Sequence, residues 1–138
     1  MAVAQITFKD RRLYVKCPAI TPGLNEWREI QGEDDARFRG WIESYQQAVK
    51  KDRPAELLLK LGKEIYAWLN TAFEGSLERL CSEVLDPPLF IEFGVPPQPG
   101  ETEQRFLEVP WEILADESGH LAAGPLKFTP LRRFGNPG

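Results

Sequence analysis

Apolar and polar positions change their spacing three times along the chain, and each change marks a different kind of element. In residues 4–17 (AQITFKDRRLYVKC), Ile6 and Phe8 alternate with polar neighbours, and so do Leu13 and Val15 after the Asp10-Arg11 break. A period of two on both sides of a short polar step predicts a β-hairpin with one buried face. Pro18 to Gly32 reads as a loop: it contains Pro22-Gly23 and a polar rim around Trp27.

The spacing then becomes helical. Glu33 to Lys51 opens on three acidic residues and closes on Lys50-Lys51, as the helix dipole favours. Phe38, Trp41, Ile42, Tyr45 and Val49 share one face. A second helix is expected from Pro54, a residue suited to a first turn, to about Asn70. Its apolar face is Leu57, Leu58, Leu61, Ile65, Trp68 and Leu69. After Gly75, Ser76 to Leu85 reads as a short third helix with Leu77, Leu80, Cys81, Val84 and Leu85 inward, ended by Pro87-Pro88.

The third change returns to strands. Leu89-Phe90-Ile91-Glu92-Phe93 is a short apolar run of the kind that is buried on both sides of a sheet. A Pro-rich loop, Val95 to Gly100, follows it. Arg105 to Val109 is a weaker strand candidate, and Pro110 to Leu114 reads as one helical turn. Leu126 to Arg132 is a further strand, with Pro125 at its edge and Pro130 limiting its pairing. Hairpin, helices and then strands imply an α/β or α+β layer arrangement, with helices packed on a small sheet. The chain divides at about residue 32 into a hairpin-and-loop segment (1–32) and a helix-and-strand segment (33–138) within one compact unit.

Composition narrows the function classes. The 138 residues are 42% hydrophobic and 28% charged, enough for one core. A net charge of −4 with basic residues only in pairs (Arg11-Arg12, Lys50-Lys51, Arg132-Arg133) argues against nucleic acid as the partner. No apolar run approaches the ~20 residues that span a bilayer, and the N-terminus has no secretory pattern. The expected setting is therefore cytoplasmic and reducing. Cys17 and Cys81 lack metal-ligand spacing, and His120, the single histidine, has no Cys or second His beside it, so neither a metal nor another cofactor is expected. Asp116 and Glu117 flank Gly119 and read as turn residues rather than an acid–base pair. Trp111 reads as a packing element and Glu112 as an anchor for a neighbouring loop or an arginine.

The segment Leu107 to Phe134 (LEVPWEILADESGHLAAGPLKFTPLRRF) carries a resemblance. Pro110-Trp111-Glu112-Ile113-Leu114, the acidic turn closing on Gly119, the Leu121-Ala122 step and the strand ending on Arg132-Arg133 resemble the first half of a CHAT domain, a bacterial relative of the caspases. Leu61-Gly62 and the apolar helix positions after it fit the same family, so the likeness covers about residues 55–134. It implies a caspase-like α/β core, here a partial sheet with covering helices preceded by the hairpin. It also implies a Cys–His dyad in which the thiolate attacks a scissile carbonyl. The family places both dyad residues after the strand that corresponds to Leu126–Arg133, so no residue of this chain is assigned to catalysis. Arg132 or Arg133 is a candidate for a pocket that takes an acidic substrate residue, or for a pair with Glu112. The expected partner is a C-terminal half carrying the His and Cys, another subunit or a second copy. The chain would then be a fragment of a longer peptidase, a shortened gene product, or a free-standing adaptor with a caspase-like half-fold. A hydrolase built from His120 and Cys17 or Cys81 is the remaining alternative.

Overall fold

The alternation of the first residues builds a two-residue hairpin, and that hairpin is the middle of a sheet. The computed structural model describes residues 2–17, 24–51, 54–72, 75–83, 87–124 and 127–135. Strands β1 (Ala2–Lys9) and β2 (Arg12–Cys17) pair antiparallel, with Lys9 opposite Arg12. Asp10 and Arg11 both take positive φ (51° and 64°), which matches the right-handed twist of a tight hairpin. Rather than preceding the sheet, the hairpin is built into it. β1 runs parallel to β4 (Leu89–Val95), and β4 runs parallel to β7 (Thr129–Phe134). With β3 (Leu24–Glu29) on the outer edge of β2, the sheet among the described residues has the order β3-β2-β1-β4-β7. The molecule is mixed α/β.

Two expected elements are corrected. Leu24–Glu29 lies inside the expected loop but forms a strand, β3, antiparallel to β2. Its apolar signal is thin, and it is held by β2's free edge rather than by its own pattern. Arg105–Val109 was expected as a strand and is helical, within α4 (Glu101–Glu108). The Gly100 N–H donates to Glu103 Oε1 at 2.8 Å, which caps the helix start. Phe106 and Leu107 turn inward while Arg105 reaches Asp35, a helical division that five residues of sequence do not reveal.

The other helices form as expected: α1 (Gly32–Ala48), α2 (Ala55–Ala72) and α3 (Ser76–Glu83). Phe38 and Trp41 of α1, Leu61, Ile65 and Leu69 of α2, and Leu77 and Leu80 of α3 are buried in one cluster with Ile6, Phe8, Leu13, Ile91 and Phe93 of the sheet. Two positions depart from the helical wheel. Val49 and Leu57 are 50% and 47% exposed: they lie where α1 ends and α2 begins, and no described neighbour covers them. Val84, Leu85, Pro22-Gly23, Pro125-Leu126 and the terminal Asn136–Gly138 lie outside the described residues.

β4 sits centrally, with Leu89, Ile91, Phe93 and Val95 fully buried toward the helices. On its other side Phe90 and Glu92 are only half-buried, so the strand is not sealed on both faces. Phe93 stacks on Trp111 with centroids 4.2 Å apart, and the Trp111 indole N–H donates to the Phe106 carbonyl at 3.0 Å. Trp111 begins a 3₁₀ turn (Trp111–Ile113) after Pro110. The acidic turn becomes a short hairpin of β5 (Ala115–Asp116) and β6 (Gly119–His120). Asp116 Oδ1 accepts the Ser118 N–H at 2.8 Å and Gly119 takes φ +121°, which accounts for both residues as turn chemistry.

Candidate functional site

Ligands of open parallel sheets gather at the carboxyl ends of the strands. Here β1, β4 and β7 end side by side, and β7 brings the two candidate arginines to that end. Because side chains alternate along a strand, Arg132 and Arg133 point to opposite faces.

Arg132 pairs in register with Phe93 and faces the helices. Its Nε donates to the Leu107 carbonyl at 2.7 Å, and its Nη2 donates to the Val109 carbonyl at 2.8 Å and to Glu112 Oε2 at 3.0 Å. The Leu107 carbonyl is left open where α4 ends and the Val109 carbonyl also accepts the Trp111 N–H at 2.8 Å, so the guanidinium closes a helix terminus and anchors the Pro110-Trp111-Glu112 turn. Glu112 is thus an arginine partner, and Arg132 is committed to structure on three acceptors.

Arg133 pairs in register with Gly94 and faces the opposite side. Its guanidinium lies flat against Gly94, where an added Cβ would meet Nη2 at 2.3 Å. Nε donates to the Gly135 carbonyl at 3.2 Å and Nη2 to Thr7 Oγ1 at 3.4 Å. Nη1 is buried without a hydrogen bond, 3.6 Å from Glu92 Oε1, while Glu92 Oε2 accepts from Gln5 at 3.1 Å. The result is a polar chain, Gln5–Glu92–Arg133–Thr7, laid across three parallel strands.

This chain borders a cleft of about 530 Å³ lined by Gln5, Thr7, Lys9, Tyr14, Lys16 and the Val95–Pro97 loop. Lys9 and Lys16 give it a positive potential, and no carboxylate lines it among the described residues. The arrangement attracts a carboxylate or an acidic side chain. Cationic side chains converging on a cleft suit it to binding such a group. The lysines were missed in the sequence because only the β1–β2 pairing brings them together; the alternation of the hairpin was the available signal.

The chain's remaining nucleophile and base candidates meet elsewhere. Cys81 and His120 line a second cleft, of about 490 Å³, between α2, α3 and the β5–β6 hairpin. Burial pushes the Cys81 thiol up to about 12, and the nearby Asp116 carboxylate adds to it. His120 commits Nδ1 to the Ile113 carbonyl at 2.9 Å. A thiol held protonated beside a ring that supports the PWE turn is the reverse of an activated dyad. Cys17 is fully buried in the core, and both cysteines are free thiols. Among the described residues no cluster of His, Cys, Asp and Glu fits a metal ion, and no helix is long and apolar enough to cross a membrane.

Comparison with family models, with curated proteins and with solved structures finds no match to this chain.

Proposed function

We propose that this chain is the N-terminal portion of a CHAT-type, caspase-like cysteine peptidase: a structural or regulatory part of a bacterial protease of defence or programmed-death signalling, without the catalytic His and Cys. The observation that supports this most is the position of β7. After the PWE turn and the β5–β6 hairpin comes a parallel strand at the edge of the sheet, paired on one side to β4 and unpaired on the other among the described residues. An open edge of this kind is a site for another strand to add. In this reading the dyad arrives on strands that extend the sheet beyond β7. The cationic cleft at the strand ends is then the candidate pocket for an acidic substrate residue, with Arg133 bonded to Thr7 of its lining and Arg132 positioning the turn on the opposite face.

The test is the intact mass of the natural gene product in its host, read beside its open reading frame. A product that continues into a His-Gly segment and a later Cys supports the peptidase; substituting that Cys must then abolish peptide cleavage. A product of this length with no associated second chain removes peptidase chemistry from the account.

A second reading, a free-standing interaction module with a caspase-like half-fold, draws support from Trp27, a large aromatic that is 57% exposed on the sheet.

A further inference from the structure

The two faces of the sheet are unequal. Among the described residues, the helices gather on the face of Phe8, Leu13 and Phe93. The opposite face carries a row across all five strands: Trp27, Tyr14, Thr7, Gly94 and Arg133 in register. Trp27 is 57% exposed, Leu131 42%, Val3 37% and Tyr14 36%, and all four point to this side. Parallel strands are found almost only where both faces are covered, and β1, β4 and β7 are parallel. Val3 and Leu131 lie on these parallel strands and Tyr14 and Trp27 continue the surface on antiparallel β2 and β3, so the face is an extended apolar surface without its cover.

Charge selects the cover. The face bears Lys9, Arg12, Lys16 and Arg133 against Glu29 and Glu92, an excess of positive charge on a chain whose net charge is −4. Glu92 is already taken by Arg133 and Gln5. Arg12 lies over the Trp27 ring, 4.7 Å from its centroid. Lys9 and Lys16 have no ion pair among the described residues. A second copy placed face to face would bring these cations against their own equivalents, which disfavours self-association. We propose that this face docks an amphipathic α-helix of a partner chain, its apolar stripe seated on Tyr14, Trp27 and Leu131 and its flanks rich in Asp and Glu facing Lys9 and Lys16. The proposal does not rest on the peptidase reading, but it claims the same Lys9–Lys16 cleft, so a docked helix and an acidic substrate residue would exclude one another there.

Two synthetic helical peptides of about 18 residues, five turns, test it. Both carry a Leu stripe at i, i+3, i+4 and i+7; one has Glu flanks and the other Lys flanks. Binding is followed by Trp27 fluorescence and by amide shifts. The Glu peptide is expected to bind with shifts confined to the open face, at least about tenfold tighter than the Lys peptide. Trp27→Ala is expected to weaken it by about tenfold or more. The surface double variant Lys9→Glu/Lys16→Glu is expected to reverse the preference, with its circular dichroism unchanged. Equal binding of both peptides, shifts on the helical side, no binding, or a dimer that Tyr14→Glu dissociates would each overturn the proposal.

Discussion

A Cβ added to Gly62 would lie 1.9 Å from the carbonyl oxygen of Ile113. The Leu-Gly step of α2 is therefore a packing requirement: α2 lies directly on the PWE turn, and only a hydrogen fits between them. Two effects compete when Gly62 becomes Ala. Helix propensity gains about 1 kcal/mol, while overpacking against backbone costs about 1–3 kcal/mol or more. At 1.9 Å from a carbonyl that cannot rotate away, overpacking wins. Gly62→Ala is expected to lower stability in urea denaturation, and an unchanged or raised midpoint would show that α2 shifts freely.

Arg132 joins the sheet to the α4 terminus through the Leu107 carbonyl and through the Val109 carbonyl, which also accepts the Trp111 N–H at 2.8 Å. Its loss removes the donor from the Leu107 oxygen and leaves the Val109 oxygen only the Trp111 N–H, at an expected cost of about 1–3 kcal/mol. Arg132→Lys should recover little of this, because a single ammonium does not reproduce the fork. Glu112 is half exposed, so Glu112→Gln is expected to cost under about 1 kcal/mol. If Glu112→Gln matched Arg132→Ala in chemical denaturation, the carbonyls would not be the important partners.

Asp34 is 6% exposed, and its carboxylate accepts the Gln31 N–H at 3.0 Å, an Arg37 Nη1 bond at 2.6 Å and the Trp68 indole N–H at 2.9 Å. One side chain thereby caps α1 and ties it to α2. Asp34→Ala is expected to cost about 2–3 kcal/mol, since it strands an indole and a backbone donor. Trp68→Phe removes one donor and leaves the cap, so its cost should be clearly smaller. Urea midpoints of the two variants decide the order.

Acid should weaken the α1–α4 contact. Burial raises the Asp35 pKa, but hydrogen bonds from Arg105 and Thr102 and the charges of Arg105 and Arg39 outweigh it, leaving the carboxyl below its ordinary value. A carboxyl depressed in the folded state adds stability above the unfolded pKa, near pH 4, and that contribution fades as pH falls through the lower folded value. Asp35→Asn is expected to flatten stability against pH below about pH 4, read from thermal midpoints. An unaltered acid limb would exclude the pair as a contributor.

The buried thiol gives a kinetic prediction. With Cys81 pushed up to about 12, its thiolate is scarce at pH 8.5. Iodoacetamide is expected to modify it in the folded protein about 100-fold or more slower than in urea. Fast native labelling of Cys81 would reopen its cleft as a reactive site.

The strongly patterned segments were readable as they stand. The Ile6–Phe8 and Leu13–Val15 alternation specifies its hairpin, and Ile65, Leu69, Leu77 and Leu80 specify inward faces at helical spacing. β3 and α4 were not readable. Trp27 and its neighbours lack a decisive period, and Arg105–Val109 is too short to separate a strand from a helix. Arg132 and Arg133 were singled out together, yet the alternation of β7 gives them opposite roles.

The sequence by itself determined the hairpin, the two long helices and the short third one, the apolar strand and the turn chemistry of Asp116 and Gly119, because each depends on neighbours within a few residues. Only the tertiary structure decided that the hairpin lies inside the sheet, that Gly62 meets Ile113, that Lys9 and Lys16 line one cleft, and that one sheet face stays open among the described residues. These depend on pairings across tens of residues, where the energy comes from shared burial and from hydrogen bonds that no local pattern encodes.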